Sequence, residues 1–206
     1  MLIFPISSKK NTKSKETIPD AMSRQRNIWL AGAGMGSTGV LTEDVKNAME
    51  EADAVFGAGR IIKNISAAHK YSMYLAEDIT AVLEEHHEYR RIVILFSGDS
   101  GFCSGAKSAL KKLRKWAPEA EIRVLPGISS ISYMAALTGE SHDDAAVFSL
   151  HGDASPARLH ALTDLVRHNI KTFVLLSGDE DVRKIGARLR ELLPACEITG
   201  GRDLSY

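Results

Sequence analysis

From residue 27 onward, short apolar runs alternate with longer amphipathic stretches, and this alternation predicts strands that alternate with helices. The run Ile92–Phe96 is apolar throughout, which predicts a strand buried on both faces. After Thr42, acidic residues fill a first turn and apolar residues recur at helical spacing, which predicts a helix capped by Thr42. The pattern as a whole predicts an α/β fold with mainly parallel sheets.

The predicted elements form two series. The first has strands at 28–33, 54–56, 91–97 and 121–125, and helices after Thr42 and at 78–88, 104–116 and 129–137. The second has strands at 145–150, 171–176 and 195–199, and helices at 156–168 and 182–193. A polar, glycine-containing stretch, 138–144, separates the two series, so we expect two small α/β domains, 27–139 and 140–206. Because ligands of open α/β sheets bind beyond the carboxyl ends of strands, we expect a ligand cleft between them.

Composition supports a folded chain but hides an uneven distribution of charge. The 206 residues are 44% hydrophobic and 25% charged, which excludes a disordered chain and allows a real core. Basic and acidic residues number 26 each, yet residues 1–27 have a net charge of +4 and the remainder −4. Residues 1–26 are therefore predicted to be a flexible basic leader. No overall positive field exists that would attract nucleic acid.

Other classes of protein are disfavoured by what the chain contains. Cys103 and Cys196 form no CxxC pair and no cluster with histidine, so we expect neither a disulfide framework nor a metal site. The longest apolar runs are about five residues, against the ~20 that a membrane span requires. We therefore expect a cytoplasmic protein without a membrane partner.

A glycine-rich turn follows the first predicted strand. Gly34, Gly36 and Gly39 fit the pattern G-x-G-x-x-G, whose glycines permit a sharp turn and close approach to a ligand. One hypothesis is therefore an NADP-binding reductase that uses Gly34–Gly39, with Arg60 after the second strand for the extra phosphate. The acidic residue that usually ends that strand is missing, however, and a tight turn without a ligand is the plainer interpretation.

Three further motifs follow predicted strands. Ser97–Gly105 holds three glycines after the most apolar strand, Leu125–Ser130 joins a Pro-Gly turn to a serine helix cap, and Ser149–Gly152 places His151 beside a glycine. In addition, Ser97-Gly98-Asp99 is echoed by Ser177-Gly178-Asp179. Each motif alone is compatible with turn or cap chemistry.

Taken together and in this order, the motifs resemble those of the tetrapyrrole methylase family. The family pattern is a GxGPG turn followed by Leu-Thr, a GDP loop and a PGISS-type turn, and these correspond to Gly32–Gly36 with Leu41-Thr42, Gly98–Ser100 and Pro126–Ser130. Met35 and Ser100 stand where the family has proline. Val147–Gly152 and the final segment 203–206 look like the cobalt-precorrin-7 C5-methyltransferase branch. Family members continue past that segment, so the resemblance implies a second domain that is incomplete at its C-terminus.

The resemblance implies a function in cobalamin biosynthesis. It implies two α/β domains, with an S-adenosylmethionine pocket between them, and methylation of a precorrin-type tetrapyrrole, most specifically at C5. S-Adenosylhomocysteine would be the product. The residues that it implies as cofactor contacts are Ser97, Gly98, Asp99, Phe102, Ser129, Ser130, Ser177 and Leu204. Those that it implies along the substrate cleft are Gly34, Met35, Gly36, Arg60 and Lys63.

Methyl transfer from a sulfonium needs neither a metal nor a covalent nucleophile, so the absence of a catalytic triad is expected. His151 is the candidate for moving the proton that must leave the macrocycle, and Arg60 and Lys63 are candidates for binding its carboxylates. The resemblance further implies a homodimer and a C15-methyltransferase/decarboxylase as a possible partner. A catalytically idle scaffold that binds a pathway enzyme remains an alternative.

Overall fold

The computed structural model describes residues 25–169, 171–202 and 204–205 and contains a five-stranded parallel sheet. Its strands are β1 (Asn27–Gly32), β2 (Ala54–Gly57), β3 (Lys70–Tyr71), β4 (Arg91–Phe96) and β5 (Glu121–Leu125). They lie in the order β3-β2-β4-β1-β5, and every neighbouring pair is parallel. The predicted α/β class with a mainly parallel sheet is thus confirmed.

The two faces of this sheet are covered by α1 (Glu43–Glu50), α2 (Gly59–Ile62), α3 (Ala76–Glu85) and α4 (Ala106–Trp116). A further helix, α5 (Ser130–Thr138), follows β5. Apolar residues of β1 and β4 point alternately to the two faces, where Ile92 and Ile94 pack against α3 and α4, and Val93 and Leu95 pack against α1 and α2. The burial of β4 on both faces, which its apolar run predicts, is confirmed.

A second, smaller sheet follows. Strands β6 (Ala146–Ser149) and β7 (Thr172–Leu175) pair in parallel, and helices α6 (Pro156–His168) and α7 (Asp179–Leu192) pack on them. The buried core between these elements consists of Leu150, Leu162, Ile185 and Leu189. None of the helices in the described ranges is long and apolar enough to cross a bilayer.

The structure corrects the predicted elements in three places. Residues 195–199, predicted as a strand, form no strand here, and Ile198 is exposed. The short elements α2 and β3, which are four and two residues long, were not predicted. Strand β3 is held by a hydrogen bond of 3.0 Å between the hydroxyls of Tyr71 and Tyr89. Burial and this bond raise the pKa of Tyr89 to about 12.

Arg26 makes defined contacts in the fold, although the predicted flexible leader 1–26 includes it. Residues 1–24, the rest of that prediction apart from Gln25, lie outside the described residues. The guanidinium of Arg26 donates to the carbonyl oxygens of Leu83, His86 and Tyr89 at 2.6, 3.4 and 3.2 Å, and lies over the ring of Trp116. Burial, together with the nearby charge of Arg90, lowers the pKa of Arg26. Arg26 therefore belongs to the folded unit as an anchor for the end of α3.

Candidate functional site

Three of the sequence motifs meet at the carboxyl edge of the large sheet. Because β4, β1 and β5 are adjacent and parallel, the loops that follow them leave the sheet side by side. Glycines allow these backbones to touch: a Cβ atom on Gly32 would lie 2.6 Å from Gly127 N and 2.8 Å from Gly98 O. The edge thus brings together loops that are about 30 to 95 residues apart in sequence.

The first two loops are paired through their backbones. Gly98 N–H donates to Gly34 O at 2.5 Å, and Gly34 N–H donates to Gly98 O at 3.1 Å. Both glycines have positive φ, 58° at Gly34 and 72° at Gly98, which favours glycine at these positions. The pair extends the contact between β1 and β4 beyond their last strand residues.

Side chains join the second loop to the third. The carboxylate of Asp99 accepts N–H bonds from Gly101 and Gly127, both at 2.9 Å. The hydroxyl of Ser100 is buried and donates to Leu125 O at 2.7 Å. Asp99, predicted as a cofactor contact, therefore uses both carboxylate oxygens to shape the site.

Thr42 also belongs to this assembly, and its role differs from the one predicted. It occupies the cap position of α1 but makes no side-chain cap hydrogen bond. Instead, its hydroxyl donates to Pro126 O at 3.4 Å, which links the start of α1 to the turn after β5. The sequence signal, a threonine before an acidic first turn, indicates a cap and gives no sign of this contact.

The serines predicted as cofactor contacts occupy the same edge. Ser97 accepts a hydrogen bond from Arg60 Nη2 at 2.5 Å, so the substrate-cleft candidate Arg60 contacts the loop after β4. Ser129 caps α5 by accepting the Ile131 N–H at 3.2 Å, as predicted for this turn. Ser130 begins α5, and its hydroxyl makes no hydrogen bond within the part of the chain that the structure describes.

The remaining candidates on the first domain differ in their exposure. Phe102 is half-buried, and its N–H donates to Asp99 O at 3.3 Å. Met35 is buried, whereas Lys63 is exposed at the end of α2. Gly36 has a φ of 107°, in the region that glycine adopts readily.

The Gly34–Gly39 stretch lacks the geometry of a dinucleotide-binding turn. Residues 38–40 form a short 3-10 turn, and α1 begins only at Glu43. In a dinucleotide site the glycine turn opens directly into the helix whose N-terminus binds the pyrophosphate. The structure therefore disfavours the reductase hypothesis based on this stretch.

The loops at the carboxyl edge of the small sheet are tied to each other. Gly152 N–H donates to Ser177 Oγ at 3.0 Å, and His151 N–H donates to Ser149 Oγ at 3.3 Å. His151 is exposed. The two Ser-Gly-Asp sequences differ in backbone conformation, because Gly178 is extended at φ 177° whereas Gly98 has φ 72°.

The C-terminal segment contacts α5. A Cβ atom on Gly201 would lie 2.8 Å from Met134 Sδ and would also meet Leu204 Cδ2, so Gly201 lies against both side chains. Within the described ranges, no hydrogen bond joins His151 or Ser177 to residues 97–102 or 126–130. The geometry brings the candidates into two loop groups, one on each sheet.

One carboxylate near His151 has a defined environment. The backbone N–H and the hydroxyl of Ser155 hold the pKa of Asp153 below its usual range, and Arg158 adds to this effect.

A cavity of about 440 Å³ lies elsewhere, at the amino edge of the large sheet, and is lined by residues including Arg26, His87 and Arg90. The candidate site is therefore defined by its loops and not by that cavity.

Comparison with known proteins agrees with the motif order. The model of the family Tetrapyrrole (Corrin/Porphyrin) Methylases matches residues 27–206. A cobalt-precorrin-4 C(11)-methyltransferase from Methanocaldococcus jannaschii is 25% identical over 185 residues, which cover 82% of this chain and 70% of that protein. A probable cobalt-precorrin-7 C(5)-methyltransferase from the same organism is 28% identical over 153 residues, covering 72% and 70%.

A solved structure shows the same architecture. The crystal structure of the methyltransferase CobJ superimposes with a TM-score of 0.63 at 26% sequence identity. The superposition covers 84% of this chain and 77% of that one. This likeness supports the α/β fold with its mainly parallel sheet.

Proposed function

Because the chain belongs to the tetrapyrrole methylase family and is a methyltransferase, we propose that it methylates a carbon of a precorrin-type macrocycle in cobalamin biosynthesis. S-Adenosylmethionine would be the methyl donor. The observation that supports this most directly is the meeting of three glycine-containing loops at one sheet edge, held by the Gly34–Gly98 pair and by Asp99. An edge of this kind is where open α/β sheets bind ligands.

The candidate residues of the two loop groups fit a nucleoside-containing cofactor. A Cβ atom on Gly98 would meet nothing within 4 Å, so the backbone there has room for a ligand. The residues that we propose to hold the cofactor are Ser97, Gly98, Phe102, Ser129, Ser130, Ser177 and Leu204. They offer hydroxyls, open backbone and one aromatic face, as a ribose, an amino-acid moiety and a base require. When bound, S-adenosylmethionine supplies a methyl group on a sulfonium with a good leaving group.

The protein's own contribution is positioning. Holding two reactants in line and out of water can supply about 7–11 kcal/mol of the acceleration in favourable cases. The hydrogen-bonded loops provide a fixed frame for this purpose, because Asp99 and Ser100 hold the turn after β5 by side-chain bonds. We further propose that His151 accepts the proton that leaves the macrocycle, and that Arg60 and Lys63 bind its carboxylates.

The methylated carbon is proposed as C5. This proposal rests on the resemblance of Val147–Gly152 and of 203–206 to the C5 branch. The names of the relatives do not decide the position, because one is a C(11)-methyltransferase and another a C(5)-methyltransferase. We also propose a cytoplasmic homodimer with domains 27–139 and 140–206. A C15-methyltransferase/decarboxylase is the proposed partner, because that reaction acts on the same macrocycle.

Calorimetric titration with S-adenosylhomocysteine tests the cofactor, and NADPH is the matched control ligand. We expect saturable binding of the first and none of the second. No binding of S-adenosylhomocysteine would contradict the proposal, and binding of NADPH would revive the reductase hypothesis.

Methyl transfer from labelled S-adenosylmethionine tests the acceptor. We expect label in cobalt-precorrin-7 and not in cobalt-precorrin-4. The reverse result would contradict C5 and favour C11, whereas cofactor binding without transfer to either acceptor would favour the scaffold alternative.

A further inference from the structure

We propose that Ser100 is a positioning residue that works with Asp99 to hold the turn 126–129 against the loop 97–102. This inference rests on the proposed function, because these are the two segments on the large sheet that would contact the cofactor. The pair sets the distance between Ser97 and Phe102 on one side and Ser129 on the other. Ser100 itself is buried and does not need to touch the cofactor.

The two bonds satisfy the backbone groups that flank Pro126. Ser100 Oγ donates to Leu125 O at 2.7 Å, and Asp99 Oδ2 accepts the N–H of Gly127 at 2.9 Å. Pro126 has no N–H, so the turn has few other backbone donors with which it could be held. Two consecutive side chains of one loop thus fix both sides of the other loop's proline.

These bonds are needed because the two loops do not follow neighbouring strands. Strand β1 lies between β4 and β5, so no strand ladder connects the loops that follow β4 and β5. The connection must cross the end of β1, where Gly32 has no side chain and leaves only backbone between Gly98 and Gly127. The side chains of Asp99 and Ser100 make this connection by their hydrogen bonds to Gly127 N–H and Leu125 O.

The residue type at position 100 is significant in this setting. The family motif has proline there, which stiffens a loop by fixing φ and cannot donate a hydrogen bond. Serine gives no such backbone restriction, but its hydroxyl anchors the loop to the end of β5. In this chain, the hydrogen bond from Ser100 to Leu125 O therefore holds the loop in place of the φ restriction that a proline would give.

The test compares Ser100→Ala with Ser104→Ala in the full chain, with Ser100→Thr as the conservative variant. Ser104 is a suitable control because its hydroxyl lies in the same loop region but bonds locally, to Ala106 N–H at 3.1 Å. Two measurements are made on each protein: amide exchange of residues 126–129 without ligand, and affinity for S-adenosylhomocysteine by calorimetry.

We expect Ser100→Ala to speed amide exchange at Gly127 and to weaken S-adenosylhomocysteine binding about tenfold, the effect of losing one buried hydrogen bond. Ser100→Thr should retain both properties. Ser104→Ala should change neither the amide exchange at Gly127 nor the affinity, because its hydroxyl bonds only within its own loop.

Unchanged exchange and unchanged affinity in Ser100→Ala would overturn the inference, and so would equal losses of affinity in Ser100→Ala and Ser104→Ala. If the wild-type chain does not bind S-adenosylhomocysteine, the proposed function fails, and the role of Ser100 in cofactor binding fails with it. If the wild type binds and only the Ser100 comparison fails, the proposed function stands and this inference alone is wrong.

Discussion

Gly32, Gly98 and Gly127 determine how closely the loops of the candidate site can approach. Each is the residue at which one of three adjacent strands ends or has just ended. A Cβ atom on Gly127 would lie 2.5 Å from Gly32 O, a distance that side-chain carbons do not tolerate. The site is therefore built on the absence of side chains at its centre, and the polar groups of Asp99 and Ser100 surround that centre.

Gly127→Ala is expected to destabilise the protein by about 3 kcal/mol, because backbone on two sides must move to admit the methyl group. Chemical denaturation followed by circular dichroism measures the loss. Gly39→Ala is the matched control, since its Cβ would meet only Ser37 Oγ at 3.5 Å. We expect the control to stay within about 0.5 kcal/mol of wild type. Equal stability of the two variants would show that the three loops are not packed as described.

At the scale of elements, Asp53 joins the amino ends of β2 and β4. Its carboxylate accepts the N–H bonds of Arg90 and Arg91, both at 2.8 Å, and pairs with the Arg91 guanidinium at 3.1 Å. Burial alone would raise the pKa of Asp53, but these bonds outweigh it and the pKa lies below the usual 3.8. Asp53 thus ties the central strand to its neighbour at the edge opposite the site.

Asp53→Asn is expected to lower the free energy of unfolding by about 1–3 kcal/mol at neutral pH, because the N–H groups lose a charged acceptor. Since the folded pKa is depressed, this stabilisation is present above about pH 4 and disappears as the pH falls through the folded pKa. Urea denaturation between pH 2 and 7 should therefore show the wild-type and variant curves converging at low pH. A difference that does not shrink on acidification would contradict the assignment, and Glu51→Gln, at an exposed position two residues earlier, should show no such dependence.

The long elements are predictable from the sequence because their hydrophobic pattern is strong. The limits of β5 and α6 were predicted to the residue, since a Pro-Gly turn ends β5 and a proline begins α6. Strand β3 was not predicted, because a two-residue edge strand has no periodicity to detect. The strand predicted at 195–199 is wrong: the residues there alternate between apolar and polar but pair with no strand in the described ranges.

The candidate site was predictable as a set of loops but not as a set of contacts. Each motif was predicted to follow a strand, and parallel strands end at one edge, so the motifs after β1, β4 and β5 lie side by side once these strands are neighbours. Hydrogen-bond partners such as Leu125 O for Ser100 depend on which strands are neighbours. The order of strands in a sheet cannot be predicted from local sequence patterns. For the same reason Thr42 was predicted as a cap and instead contacts Pro126.

At the scale of the molecule, the distribution of charge determines which residues could attract an anionic macrocycle. Residues 27–206 contain 20 basic and 24 acidic residues, so their overall field does not favour an anion. Attraction must then come from cations near the candidate site. Arg60 contacts Ser97, so a substitution of Arg60 would also disturb the loop after β4. Lys63, which is exposed at the end of α2, is therefore the better residue for testing the effect of a cation.

Lys63→Gln is expected to raise KM for the carboxylate-rich acceptor about threefold to tenfold, because one favourable charge interaction is lost. Its affinity for S-adenosylhomocysteine should equal that of wild type, since within the described residues Lys63 makes no hydrogen bond or ion pair with the loops 97–102 or 126–130. Lys115→Gln, in the last turn of α4 and hence at the opposite edge of the sheet, removes the same charge and should leave both values unchanged. Added salt should reduce the difference between wild type and Lys63→Gln, because screening weakens the attraction that the lysine supplies. Steady-state kinetics at two salt concentrations measures this, and an equal rise of KM in both variants would mean that the overall charge, and not a local cluster, governs acceptor binding.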